Sequence, residues 1–436
     1  MSVPIKRDFQ TLLPRKHWRR ATLSRSVLSV LTAATAFLAV IGTTPTLAQQ
    51  DDLFEREELT GDWGGERTRL ENAGITPALN YTADPAANPV GGERQGADYA
   101  GVLYGSTRFD FEKLFGARGW SALVSASWAH GRDLSSDTIG NFFIVQEVFS
   151  GRTFRLSELY VEKSLFDKKL DIAAGRIAIG DDFGTMKPFT YYMNAGVGHH
   201  ALTIIENVPG WTTLPDTQWG ARGHLDLQNG FQLTVGTYNA DPSVKDASNG
   251  GLDFSFRPGL GVLTFAQASY SWNRTPSGNA LPGEIILGGF GDSSKYAALA
   301  DSSDETYGNY GFYAFGHQQL TREAASVNQG LTGWAAVTVT PDQTINEVPI
   351  GLFGGLIYQG LFPGRDEDST AFGLFYTAFS EDLEDQNFEI AMELNHRFQI
   401  APWLYVMPSA QYIINPNGQS DIHDAGVIGF ELSIDF

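Results

Sequence analysis

The chain has no cysteine in its 436 residues, which excludes disulfides and thiolate metal sites. It is also short of positive charge, with 30 Lys and Arg against 50 Asp and Glu, a formal net charge of −20. Such a chain repels a phosphate backbone, so no nucleic-acid partner is expected. After residue 48 no run reaches the ~18 apolar residues of a membrane helix. No repeat with a period of roughly 20–50 residues is visible, which disfavours a solenoid. Glycine (48) and aromatics (29 Phe, 16 Tyr, 9 Trp) are abundant instead. That mixture suits many strands and turns better than helices.

The first 25 residues carry Lys6, Arg7, Arg15, Lys16, Arg19, Arg20 and Arg25 against Asp8 alone. An apolar run from Val27 to Ile41 follows, then Thr46-Leu47-Ala48 before Gln49. This reads as a secretory signal over 1–48 with cleavage after Ala48. The alternative, a membrane anchor, is disfavoured because the run is short and broken by Ser29, Thr32 and Thr35. Export, acidity and strand-rich composition together point to the outer membrane of a Gram-negative bacterium.

The C-terminal stretch GVIGFELSIDF (426–436) shows how. Ile428, Phe430, Leu432, Ile434 and Phe436 share one parity, and Gly429, Glu431, Ser433 and Asp435 share the other. A strand sends alternate side chains to opposite faces. One face is therefore apolar and the other small or acidic, as for a strand between lipid and water. The stretch 387–400 repeats the pattern. Ile390, Met392, Leu394, Phe398 and Ile400 oppose Glu389, Glu393, Asn395, Arg397 and Gln399, with His396 the exception. In 218–227, Trp219, Ala221, Leu225 and Leu227 oppose Gln218, Arg222, His224 and Asp226. In 99–112, Leu103, Thr107, Phe109 and Phe111 oppose Ser106, Arg108, Asp110 and Glu112.

About sixteen such runs fall near 75–83, 99–112, 118–130, 153–165, 169–178, 218–227, 230–239, 259–273, 283–290, 308–317, 331–340, 348–360, 370–380, 387–400, 403–415 and 426–436. The expected fold is all-β, a transmembrane antiparallel barrel of about sixteen strands over residues 75–436. Residues 49–74 precede it, with a short periplasmic helix in GDWGGERTRLENAG (61–74) that is capped by Asp62, ended by Gly74 and set as a latch or plug at the barrel mouth. Connections after odd strands should be external and long, and those after even strands short. The first half obeys this rule, with 131–152, 179–217 and 240–258 as the long loops; the second half obeys it less well. Trp120, Trp128, Tyr270, Trp272, Trp403 and Tyr412 fit aromatic girdles.

Several stretches resemble the OprB-type carbohydrate-selective porins: GDWGGERTRLENAGITPALNY (61–81), LSELYVEKSL (156–165), Gly175-Arg176, QWGAR (218–222), GLIYQGLFPGRDED (355–368), WLYVMPSAQYIINPNG (403–418) and the terminal strand. The resemblance implies a sixteen-stranded outer-membrane barrel through which glucose and similar sugars diffuse inward. It makes Glu158, Tyr160 and Arg222 plausible constriction residues. Arg176 fits badly, since it shares parity with Leu170, Ile172 and Ala174 and turns outward unless a bulge intervenes.

Sugars present hydroxyls and an apolar C–H face. A pore that favours small neutral sugars needs charged or amide groups with aromatic faces beside them, and weak binding. Arg108, Asp110, Glu158, Tyr160, Arg222, Asp226, Glu389, Glu393 and Arg397 supply the first. Tyr191, Tyr192 and Trp211, on a 179–217 loop folded into the barrel, supply the second. Each charged residue has a blander reading as an ordinary solvated wall position. The acidic total suggests a preference for cations if it reaches the pore rather than staying in loops. No cofactor and no metal are expected: His199-His200 lacks a third ligand, and Asp366-Glu367-Asp368 lacks the spacing of a calcium loop. Barrel lipid is the other expected partner, and the residues leave monomer or homo-oligomer open. The alternatives are a porin for polyols or organic acids, a barrel hydrolase using His130 and Asp133, and a closed structural barrel.

Overall fold

The computed structural model describes residues 53–274, 280–323 and 329–436. The signal segment 1–48 lies outside the described residues. Among them sixteen strands close into one antiparallel barrel, each pairing with its neighbours in sequence and β1 closing on β16. They are β1 (Ile75–Gly92), β2 (Gly96–Asp110), β3 (Trp120–Gly131), β4 (Thr153–Leu165), β5 (Leu170–Ile177), β6 (Gln218–Asp226), β7 (Phe231–Asn239) and β8 (Val262–Trp272). The second half has β9 (Gly283–Ala297), β10 (Glu305–Gln319), β11 (Gly330–Val339), β12 (Ile350–Gln359), β13 (Ser369–Ala378), β14 (Phe388–Ala401), β15 (Leu404–Ile414) and β16 (His423–Asp435).

The two-faced pattern is the cause of the closure. On β16, Ile428 and Phe430 are exposed on the outside while Glu431 and Ser433 are buried inside. On β14 the outward Leu394, Phe398 and Ile400 are exposed, and the inward Glu389, Glu393 and Asn395 are buried. β1 runs past Pro85 to Gly92, with Pro89 falling where its register against β16 shifts. In β4 the register against β3 jumps between Val124 and Ala126, which puts both Ser157 and Glu158 inside.

The interior departs from a uniformly wet bore. The inward aromatics of β8–β13, namely Phe265, Phe290, Phe315, Trp334, Phe353 and Phe375, are buried in one apolar core with residues of the long loops. Around these aromatics the strands are apolar on both faces, because their inner face meets protein rather than water. Two expected boundaries also move. Phe111 and Glu112 leave β2 for the short helix Phe111–Phe115, and Trp403 is buried instead of joining a girdle.

β5 is short because its chain turns into the lumen after Ile177. This leaves Thr153–Glu158 of β4 without a β5 partner. The 240–261 loop fills the gap: the Leu156 N–H donates to the Gly250 carbonyl at 2.9 Å. Gly251 sits at φ 70°, and a Cβ there would lie 2.0 Å from the Leu156 oxygen. Arg176 does turn outward, opposite Leu159. No bulge redirects it; it donates to the Gly251 carbonyl and stacks on Phe254 at 5.5 Å.

At the end of the barrel with the tight turns, helix α1 (Glu66–Ala73) follows a single 3-10 turn at Trp63–Gly65. Its N-cap is Gly65 and not the expected Asp62, because the 3-10 turn comes between; Asp62 still accepts from the Thr68 N–H at 2.8 Å, and Gly74 ends the helix at φ 96°. The segment is a latch. Arg67 pairs with Glu58 at 2.6 Å and donates to the Phe436 carbonyl at 2.7 Å. The Leu59 N–H reaches the Asp435 carbonyl, and the Trp403 indole reaches the Leu53 carbonyl, both at 2.8 Å. Replacing Arg67 by alanine leaves the Phe436 carbonyl without its donor. The expected loss is about 1–3 kcal/mol, read as a lower temperature for the shift from folded to unfolded band in gel electrophoresis.

Candidate functional site

Two loops enter the lumen. Residues 178–217 lay Phe183 against Phe265 (5.3 Å between ring centroids), Phe189 against Phe315 (5.3 Å), Tyr192 against Phe375 (5.6 Å) and Trp211 against Phe265 (4.8 Å). The last three are edge-to-face, and such ring contacts add to the area they bury. Residues 132–152 contribute Leu134, Ile139, Phe143 and Val145 to the same core. The loops also pair with each other: the Glu147 N–H donates to the Met193 carbonyl at 2.9 Å, and the Ala195 N–H to the Ile144 carbonyl at 2.7 Å.

The wall facing this core carries a ladder of polar side chains. Glu158 accepts from the Tyr104 hydroxyl at 3.0 Å and from Ser125 at 3.2 Å. Arg222 lies between Glu162 (2.8 Å) and Asp182 (2.9 Å). Glu162 also meets Arg108 at 3.5 Å, and Arg108 donates to the Tyr160 hydroxyl at 3.4 Å. Strands β2, β3, β4 and β6 and the start of the 178–217 loop thus meet at one patch. Arg108 is the accessible member, 45% exposed. Burial holds the Asp182 carboxyl above its usual pKa although Arg222 opposes the shift.

A second polar group lies on β14–β16. Arg397 stacks on Tyr405 at 3.9 Å and on Tyr191 at 5.7 Å, and donates to the Thr190 carbonyl at 3.2 Å. Tyr405 donates to Glu431 at 2.5 Å. Nearby, His199 meets Glu147 at 3.2 Å.

Of the residues expected to line the pore, Arg108, Glu158, Tyr160 and Arg222 fall together on the first patch. Arg397 and Tyr191 fall together on the second. The others are elsewhere. Tyr192 and Trp211 are fully buried, and Tyr192 bridges the Trp334 indole (2.9 Å) and the Phe372 carbonyl (3.0 Å); they fasten the loop instead of meeting solute. Glu389 and Glu393 point inward but are covered by the loops, whose backbone they bind. Asp110 caps the Phe111–Phe115 helix, and Asp226 accepts from Gln228 in a tight turn, so both sit at the rim. His130 and Asp133 are not brought together. His130 packs outside between Tyr81 and Trp128, while Asp133 caps a loop turn at Ser135.

Glu162 was within reach of the sequence pattern, since it shares parity with Glu158 and Tyr160 in LSELYVEKSL. Asp182, Glu147 and His199 lie on loops without periodicity, and no such signal marks them.

A family model described as carbohydrate-selective porin, OprB family, matches residues 94–436. Porin B of Pseudomonas aeruginosa is 27% identical over 424 residues, spanning 87% of this chain and 91% of that protein. The putative porin QuiX of Acinetobacter baylyi is 26% identical over 442 residues, spanning 91% and 97%. The high-pH structure of Pseudomonas putida OprB superimposes with a TM-score of 0.82 at 27% identity, covering 88% of this chain and 100% of that one.

His199 carries a pH prediction. The Glu147 carboxylate, helped by Glu431 and Asp181, raises its pKa to about 9, although the His199 side chain is 61% exposed. A raised pKa stabilises the fold fully below the unfolded value of ~6.5, and that contribution is lost as pH rises through about 9. His199→Gln should therefore flatten the fall in unfolding temperature that the native protein shows between roughly pH 8 and 10. An identical pH profile in both proteins would contradict the pairing.

Proposed function

This chain belongs to the OprB family of carbohydrate-selective porins, and we propose that it passes small neutral sugars, glucose among them, by passive diffusion between the Arg108–Arg222 patch and the Arg397–Tyr405 patch. The observation that carries this reading is the ion-paired ladder. Arg222 between Glu162 and Asp182 sets donors and acceptors side by side, each charge with an opposite charge beside it. Sugar hydroxyls can exchange along such a surface, and the partly buried Tyr191 ring can receive the C–H face. An ordinary charged pore would instead favour ions of one sign.

The acidic total does not set the field at this waist. Glu389 and Glu393 spend their charge on backbone N–H groups beneath the loops, while Arg108 is exposed. We therefore read the channel as weakly selective among ions, in place of the cation preference that the composition suggests. We also read it as a channel without catalysis, exported to the outer membrane after cleavage at Ala48. N-terminal sequencing of mature protein should begin at Gln49.

Liposome swelling tests the main claim. Glucose should enter far faster than through empty liposomes, and organic acids more slowly than glucose; equal rates with and without protein would end the assignment. Arg222→Ala leaves Asp182 without its arginine and Glu162 with Arg108 alone. That variant should slow glucose several-fold and shift the reversal potential in a salt gradient toward cations.

A further inference from the structure

Two carboxylates on β14 reach both lumen loops. Glu389 and Glu393 lie four residues apart on one inward face and are 0% and 1% exposed. Glu389 accepts the N–H groups of Phe142 and Phe143, each at 2.7 Å, and that of Asn417 at 2.5 Å. Glu393 accepts those of Met193 at 3.1 Å and Asn194 at 2.8 Å, and is steadied by Asn395 (2.7 Å) and Ser409 (3.0 Å). The first carboxylate holds the 132–152 loop and the second holds the 178–217 loop. Asn194 joins the two by donating to the Phe143 carbonyl at 3.1 Å, and it is tied to the wall through Gln411 at 2.8 Å.

We propose that the Glu389–Glu393 pair is the positioning element that sets the width of the bore, and with it the upper size of sugar admitted. The proposal rests on the porin reading. Apolar packing holds the loops against the β8–β13 wall, but burial is non-directional and leaves them free to slide along it. Charge-assisted hydrogen bonds fix distance and direction. An ionised carboxylate is the side chain that presents acceptors on both oxygens. Glutamine keeps the shape and turns one of these into a donor, facing an N–H it cannot satisfy. The loop then has to move by whatever opens that contact. Because each loop has its own carboxylate and the loops are joined, loosening either one widens the same waist. Monosaccharides already pass and gain little. Disaccharides, held back by width, gain most.

The experiment uses the full-length protein in liposomes and planar bilayers, with Glu389→Gln and Glu393→Gln as variants. Swelling rates are measured for glucose and for sucrose, together with single-channel conductance and the temperature of the folded-band shift. In each variant the glucose-to-sucrose ratio should fall several-fold, and conductance and open-channel noise should rise, with glucose entry little changed. A lower unfolding temperature with an unchanged ratio would assign the carboxylates to stability alone and overturn the positioning role. If neither variant folds, amide exchange in the native protein decides. The N–H groups of Phe142, Phe143, Met193 and Asn194 should exchange as slowly as strand amides, and fast exchange overturns the proposal. A native protein that admits neither sugar overturns the porin reading, and the proposal with it.

Discussion

In hydrocarbon no water is available to a stray backbone N–H or C=O, so each must be paired within the protein. That requirement shapes most of this molecule. It closes β1 on β16 and leaves no free edge. It also explains a loop that lies against the wall. Once β5 turns inward at Ile177, the upper part of β4 would be an open edge, and the 240–261 loop covers it through Gly250. The same loop gives Arg176 a carbonyl and an aromatic face. An arginine at an outward position is tolerated because its surroundings there are protein.

The inward turn of β5 has a second consequence. It releases a long segment into the lumen, and a segment in a lumen needs something to pack on. Phe265, Phe315, Trp334 and Phe375 provide that surface on one side of the barrel. The opposite wall keeps the ion-paired patch, in which Arg108 stays 45% exposed. One half of the interior behaves as a protein core and the other as a channel wall. The division follows from which strands have apolar inner faces.

All sixteen strands were legible in the sequence, including the run at 283–290, because lipid outside imposes an apolar outer face on each of them. The helix before the barrel was legible at its C-terminal end, where Gly74 stops it, while its start fell at Gly65 and not at Asp62. The inner face was legible only in part. Parity says that Glu389 and Glu393 point inward, but not that loops will cover them. Tyr192 and Trp211 lie buried against the wall, which the sequence does not reveal, since an aromatic on a lumen loop can face either solute or wall. Asp110 and Asp226 have the inward parity and lie at strand ends, where the strand gives way to a turn before the pore is reached. The β4 register shift left no mark in the pattern, although it brings Ser157 and Glu158 to the same side.

Charge is where whole-chain properties and local function part company. A net −20 describes the field far from the molecule. It says little about a waist in which several carboxylates are already committed. Glu158 answers to Tyr104 and Ser125, Glu162 and Asp182 to Arg222, and Glu389 and Glu393 to the backbone of two loops. Acids elsewhere, such as Asp301 and Asp342, cap turns outside the strands by accepting N–H groups two residues on. The acidic side chains thus serve several local geometries, and their sum has no single purpose. For a neutral solute this arrangement is favourable: paired charges keep their hydrogen-bonding capacity and cancel their long-range field, so a sugar meets polar groups without competing against a tightly held counter-ion.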